Sequence, residues 1–132
     1  MTAVNSAFLN YLTSPLNGGA DDDEMVKKYW DIDSNDPITM KNIIKMVLKP
    51  VFDMHTQMFR QKAKESLGFY LATGKIDFEK VYNAPLLPID TPNDPKLFYT
   101  WIWEIFFENE DYKPYGTNDY FELYNINEPL EF

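Results

Sequence analysis

Residues 37–74 read PITMKNIIKMVLKPVFDMHTQMFRQKAKESLGFYLATG. Their apolar members are Met40, Ile43, Ile44, Val47, Leu48, Val51, Met54, Met58, Phe59, Ala63, Leu67, Tyr70 and Leu71. Steps of three and four dominate, which predicts a helix with these side chains along one side. Asp36 before Pro37 is a start signal: a short acceptor for free N–H groups, then a residue with helical φ and no N–H to satisfy. Gly74 is a stop signal, because glycine accepts the left-handed conformation that ends many helices. Pro50 interrupts the middle, so a kink or two abutting helices is expected rather than a straight rod.

The chain has 132 residues, enough for one domain, and at 45% hydrophobic and 17% aromatic it lies far from a disordered composition. Cysteine is absent, which excludes disulfides, thiolate catalysis and cysteine-ligated zinc. The longest apolar run, Leu97–Phe107, contains Thr100 and Glu104 and is too short for a membrane span. The N-terminus shows no basic start before an apolar core, so a soluble, intracellular protein is expected.

The net charge of −9 is unevenly placed. Residues 1–40 hold seven acids and two bases, residues 41–80 four acids and eight bases, and residues 81–132 ten acids and two bases. The organising stretch is thus the basic part of an acidic chain. Its cations are read as a solvated face partly neutralised by the chain's own acids, with steering of a charged partner as the alternative.

Working outward, Thr2 can cap a first helix over Ala3–Leu12, ended by Ser14-Pro15. Asp21, Asp22, Asp23 and Glu24 sit where acids favour the positive end of a helix, here predicted from about Asp23 to Trp30. Asp31–Asp36 resembles the opening of an EF-hand calcium loop. The sixth position is Asp36 where glycine is needed and the twelfth is Asn42 where a bidentate glutamate is needed, so a polar turn is expected.

Beyond Gly74, Asp77 is a plausible cap for a short helix over Phe78–Tyr82. Residues 83–95 carry Pro85, Pro88, Pro92 and Pro95 with Leu86, Leu87 and Ile89 between them, which predicts an extended segment laid against the body. Asn93-Asp94-Pro95 opens another helix, to about Asn109. Lys96, Thr100, Glu104 and Glu108 make its narrow polar stripe, and apolar residues including Trp101 and Trp103 occupy the rest. β-Prone residue types make a strand the competing reading for 97–107; the cap and the four-residue polar spacing favour helix. In the acidic, aromatic tail, Asn118 or Asp119 can cap a short helix to about Asn125. The fold class expected is therefore mainly α: a single compact helical domain over 1–132, of about five or six helices, kinked or broken at Pro50, with a proline-rich extended connection.

No catalytic constellation emerges. His55 is the sole histidine, so multi-histidine and cysteine–histidine metal sites are out of reach. Glu104 and Glu108 lie one turn apart, but a di-metal bundle site needs histidines from facing helices. There is no nucleophile elbow and no glycine-rich phosphate loop. No catalytic residue, metal or cofactor is assigned. Net acidity argues against direct nucleic-acid binding.

Three tryptophans, nine tyrosines and ten phenylalanines exceed the needs of a modest core, and interfaces are enriched in such residues. The expected function is a non-catalytic protein–protein interaction, as an accessory subunit or dedicated partner in a larger assembly. The alternative is an acidic inhibitor of the immunity, anti-defence or DNA-mimic type that blocks a basic nucleic-acid-binding enzyme. The candidate partner-binding residues are Asp21, Asp22, Asp23, Glu24, Glu108, Glu110, Asp111, Tyr112, Tyr115 and Tyr120.

Overall fold

The structure is a computed structural model that describes residues 2–117 and 119–132. It is mainly helical, with seven α-helices among the described residues. The chain begins with strand β1 (Thr2–Asn5) and continues through α1 (Ala7–Leu12), α2 (Asp23–Tyr29), α3 (Pro37–Ile43), α4 (Lys49–Asp53), α5 (Gln57–Thr73), α6 (Phe78–Asn83) and α7 (Pro95–Phe106). Strand β2 (Tyr120–Leu123) comes last and pairs with β1 in parallel, Thr2 opposite Tyr120 and Asn5 opposite Leu123.

Three helix starts follow the caps read from the sequence, whereas Asp94 makes no side-chain cap bond and α7 opens on Pro95 alone. Asp22 accepts from the N–H groups of Glu24 and Met25, Asp36 from that of Ile38, and Asp77 from those of Glu79 and Lys80. Each carboxylate satisfies donors that a first turn leaves free. Gly74 closes α5 in the left-handed region, at φ 67°.

The central stretch departs from a plain helix in an informative way. Between α3 and α4, Ile44–Leu48 winds as a π-helix. The wider turn comes just before Pro50, whose ring and missing N–H disfavour an α turn there. The rod then continues to Asp53, and the chain breaks at Met54–Thr56 before Thr56 caps α5 by accepting from Phe59 N–H. The π turn also changes which residues face in. Met40, Ile44, Leu48 and Phe52 are buried, at steps of four, so Phe52 takes the place that regular spacing gives to Val51. Val51, Met54 and Met58, expected on the apolar side, are exposed instead.

Helix α7 makes the apolar run from Leu97 helical as far as Phe106, with Phe98, Tyr99, Trp101, Ile102, Trp103 and Phe106 buried against α3, α5 and α6. Of the segment expected to lie extended on the body, Leu87 and Ile89 are buried, but residues 84–86 form a turn in which Leu86, at φ 56°, is exposed. Gly18 N–H and Ala20 N–H donate to the carbonyls of Pro85 and Leu86 and hold that segment down.

Two expectations are corrected at the ends. Thr2–Asn5 is a strand rather than the first turn of a helix, and Tyr120–Leu123 is a strand rather than a helix reaching Asn125. Of the two caps considered there, Asn118 lies outside the described residues, and Asp119 instead gives its carbonyl to Thr2 N–H at 2.7 Å. The reason is tertiary: the ladder between β1 and β2 pairs backbone groups that the first turn of a helix would leave free.

Asn5 locks this pairing. It is buried; its N–H donates to Ser66 Oγ, its Oδ1 accepts from Ala7 N–H, and its Nδ2 donates to the Asn125 carbonyl and Glu128 Oε1. Asn5→Ala strands the Ala7 donor and the Asn125 acceptor. We expect a loss of about 1–3 kcal/mol in chemical unfolding. In hydrogen exchange, Phe121 and Leu123 amides should lose protection ahead of those of α5.

Candidate interaction surface

The tail's aromatic residues are seated on the body around Trp103. Tyr112 and Tyr115 meet its ring edge-on, with centroids 6.1 and 5.6 Å away. Tyr120 packs against Tyr115 and Phe69. The indole N–H of Trp103 donates to the Glu110 carbonyl at 2.8 Å. The turn Lys113–Gly116 lies flat on α5 because both surfaces carry glycine: a Cβ on Gly68 would stand 2.9 Å from the Tyr115 ring, and one on Gly116 the same distance from Ala72 Cβ. Tyr112, Tyr115 and Tyr120 are thus half-buried members of the fold's own packing.

The acids are placed differently. Asp21, Asp22, Asp23 and Glu24 are all exposed at the start of α2. Glu108, Glu110 and Asp111 are exposed after α7. Glu110 pairs with Lys64, and Lys41 reaches Glu104 at 2.9 Å, so two cations of the basic stretch meet the acidic last third. Burial works against the Lys64 charge, but the hydrogen bond to Glu110 and the neighbouring Tyr115 outweigh it and hold its pKa above the usual lysine value.

Two surfaces that sequence reasoning missed carry exposed large apolar residues. One set is Ile38 and Met46 on the rod, with Met54 at the break and Met58 at the start of α5. An open groove of about 540 Å³ lies beside Ile38, lined also by Lys41, Lys45 and Ile105 among others.

The other comprises the outer strand and the turn after it. Phe121 and Leu123 face solvent, and Tyr124, Ile126 and Leu130 are 76%, 75% and 69% exposed. Asp119, Glu122, Glu128 and Glu131 lie among them, and residues 114–132 contain no lysine or arginine. The signal was available: alternation in YFELY fits a strand with one solvent-facing side. Its partner strand, near the other end of the sequence, was not legible.

No metal-ligating cluster of three or more histidines, cysteines or carboxylates occurs among the described residues. His55 stacks on Phe59 at 3.9 Å, and burial lowers its pKa from the usual value. Four open grooves indent the surface, and none of these four is lined by His55, Glu104 or Glu108. No helix among the described residues is long and apolar enough to cross a membrane.

Compared with known proteins, the chain matches no family model, no curated protein and no solved structure.

Burial pushes the phenol pKa values of Tyr70, Tyr82 and Tyr99 upward, and for Tyr70 the hydrogen bond to Glu122 adds to it. A raised folded pKa means the unfolded chain gives up these protons first. The stabilisation is therefore complete below the ordinary tyrosine value of about 10 and declines as pH rises above it. An alkaline titration followed by tyrosinate absorbance should show exposed tyrosines ionising first. A second group should ionise only together with the loss of Trp fluorescence that reports unfolding.

Proposed function

We propose that this protein is a non-catalytic interaction protein that engages a partner through the acidic, apolar surface of residues 119–131. The observation that carries the reading is the cluster of Phe121, Leu123, Tyr124, Ile126 and Leu130, exposed within a single short stretch. Large apolar side chains gathered on a surface and rimmed by charge mark sites of association. The stretch's own acids, Asp119, Glu122, Glu128 and Glu131, favour a partner whose complementary face is basic as well as apolar.

A second reading, an acidic inhibitor of a basic nucleic-acid-binding enzyme, draws on a different place. Asp21, Asp22, Asp23 and Glu24 are exposed and form no ion pair among the described residues. The two readings separate by mutation. Changing Phe121 and Ile126 to serine should leave the melting temperature within about 2 °C, as expected for exposed positions. It should abolish co-purification of a defined partner from source cells. Retention of that partner by the serine variant excludes the first reading. Changing Asp21–Glu24 to their amides should weaken binding, and flatten its salt dependence, only under the second.

A further inference from the structure

We propose that the open edge of β2 is a strand-addition site for an extended partner segment in which apolar and basic residues alternate. The inference rests on the interaction reading above and specifies how the surface is used.

The register fixes which backbone groups are free. Thr2 N–H donates to the Asp119 carbonyl, and Thr2 stands opposite Tyr120. In a parallel ladder, alternate residues turn their N–H and C=O to opposite edges. Asp119, Phe121 and Leu123 therefore face β1, while Tyr120 and Glu122 face outward. Among the described residues no backbone group pairs with that outward side. The far edge of β1 is different, because Asn5 N–H is taken by Ser66 Oγ on α5. The sheet has one closed side and one open side.

Two strands alone are marginal in water, and packing on α5 supports these two on one side. Their outer edge has no such cover among the described residues. Open edges are usually guarded by lysine, proline or a bulge, and Tyr120–Leu123 has none of these. Its length of four residues limits pairing, and its charged guard is Glu122. This half-buried carboxylate accepts from the hydroxyls of Tyr70 and Tyr124 and has no cationic partner among the described residues.

That guard selects the occupant. An added strand would set one alternate row of side chains beside Phe121 and Leu123 and the other beside Tyr120 and Glu122. Apolar residues fit the first row, and lysine or arginine fits the second. A second copy of this chain would bring Asp119 and Glu122 against their own kind, which is unfavourable for like charges across strands. An anionic lipid surface is repelled by the same acids. A basic, alternating segment of another protein satisfies both the hydrogen-bonding edge and the charge.

The test uses the full chain, isotopically labelled, with a synthetic peptide of alternating valine and lysine at low salt. Two further versions are each N-methylated on one of the two alternate sets of backbone nitrogens. The expected result is saturable binding with slowed exchange of the Tyr120 and Glu122 amides. One methylated version should bind at least about tenfold more weakly, a difference of about 1.4 kcal/mol, and the other much as before. Replacing the peptide's lysines by glutamate should abolish binding. Glu122→Gln should weaken it at an unchanged melting temperature. Absence of binding by the unmodified peptide overturns the proposal. So does equal binding of both methylated versions, which would leave the interaction reading standing on its own serine-variant test.

Discussion

Every polar atom of the buried Asn5 side chain, and its backbone N–H, is committed to a different part of the molecule. Inside a protein such a residue is favourable only when all of its bonds are made together. Asn5 joins the first strand to the long helix through Ser66, starts the turn into α1 through Ala7, and clasps the loop at Asn125 and Glu128. Sequence-distant segments are thereby fixed around α5. On another part of α5, Gly68 receives the Tyr115 ring, and Trp103 backs that ring from α7. The long helix is thus held between a polar lock and an aromatic wedge.

Much of the helical architecture was legible because its signals are local. Asp36-Pro37, Asp77 and Gly74 act within one turn of themselves, and each does what its chemistry demands. The two strands left no comparable trace. Thr2–Asn5 has a capping threonine and apolar neighbours, so by local rules it reads as a helix start. What overrides those rules is a ladder formed with residues far along the chain. The π turn at Ile44–Leu48 was foreshadowed by Pro50, but its rotation of Phe52 inward and Val51 outward comes from backbone geometry that spacing alone does not encode. The tyrosines of the candidate site illustrate the same limit. Composition marks Tyr112, Tyr115 and Tyr120 as surplus, and only the fold shows Trp103 and Phe69 waiting for them.

Charge has a similar two-level character. The basic middle of the sequence commits Lys41 and Lys64 to Glu104 and Glu110, contacts that tie α3 to α7 and α5 to the tail. The exposed pair Lys41–Glu104 contributes little, about 0–1 kcal/mol, and the burial of Lys64 offsets part of what its own pairing contributes. The larger effect of these contacts is on the charge left over. Both pairs lie beside the helices, whereas residues 114–132 carry acids and no cation of their own; the cation seen beside the strand is Lys75, over the Phe69 ring on which Tyr120 packs.

The parallel pairing also imposes an order of events on the growing chain. Asn5 and Asn125, which it bonds, lie 120 residues apart. Contacts of such separation form late, because the intervening chain must be gathered first. During synthesis β1 therefore exists long before β2, with Val4 and Asn5 lacking the strand that covers them. Until the residues of β2 emerge, β1 is exposed to capture, by a chaperone or by the wrong edge.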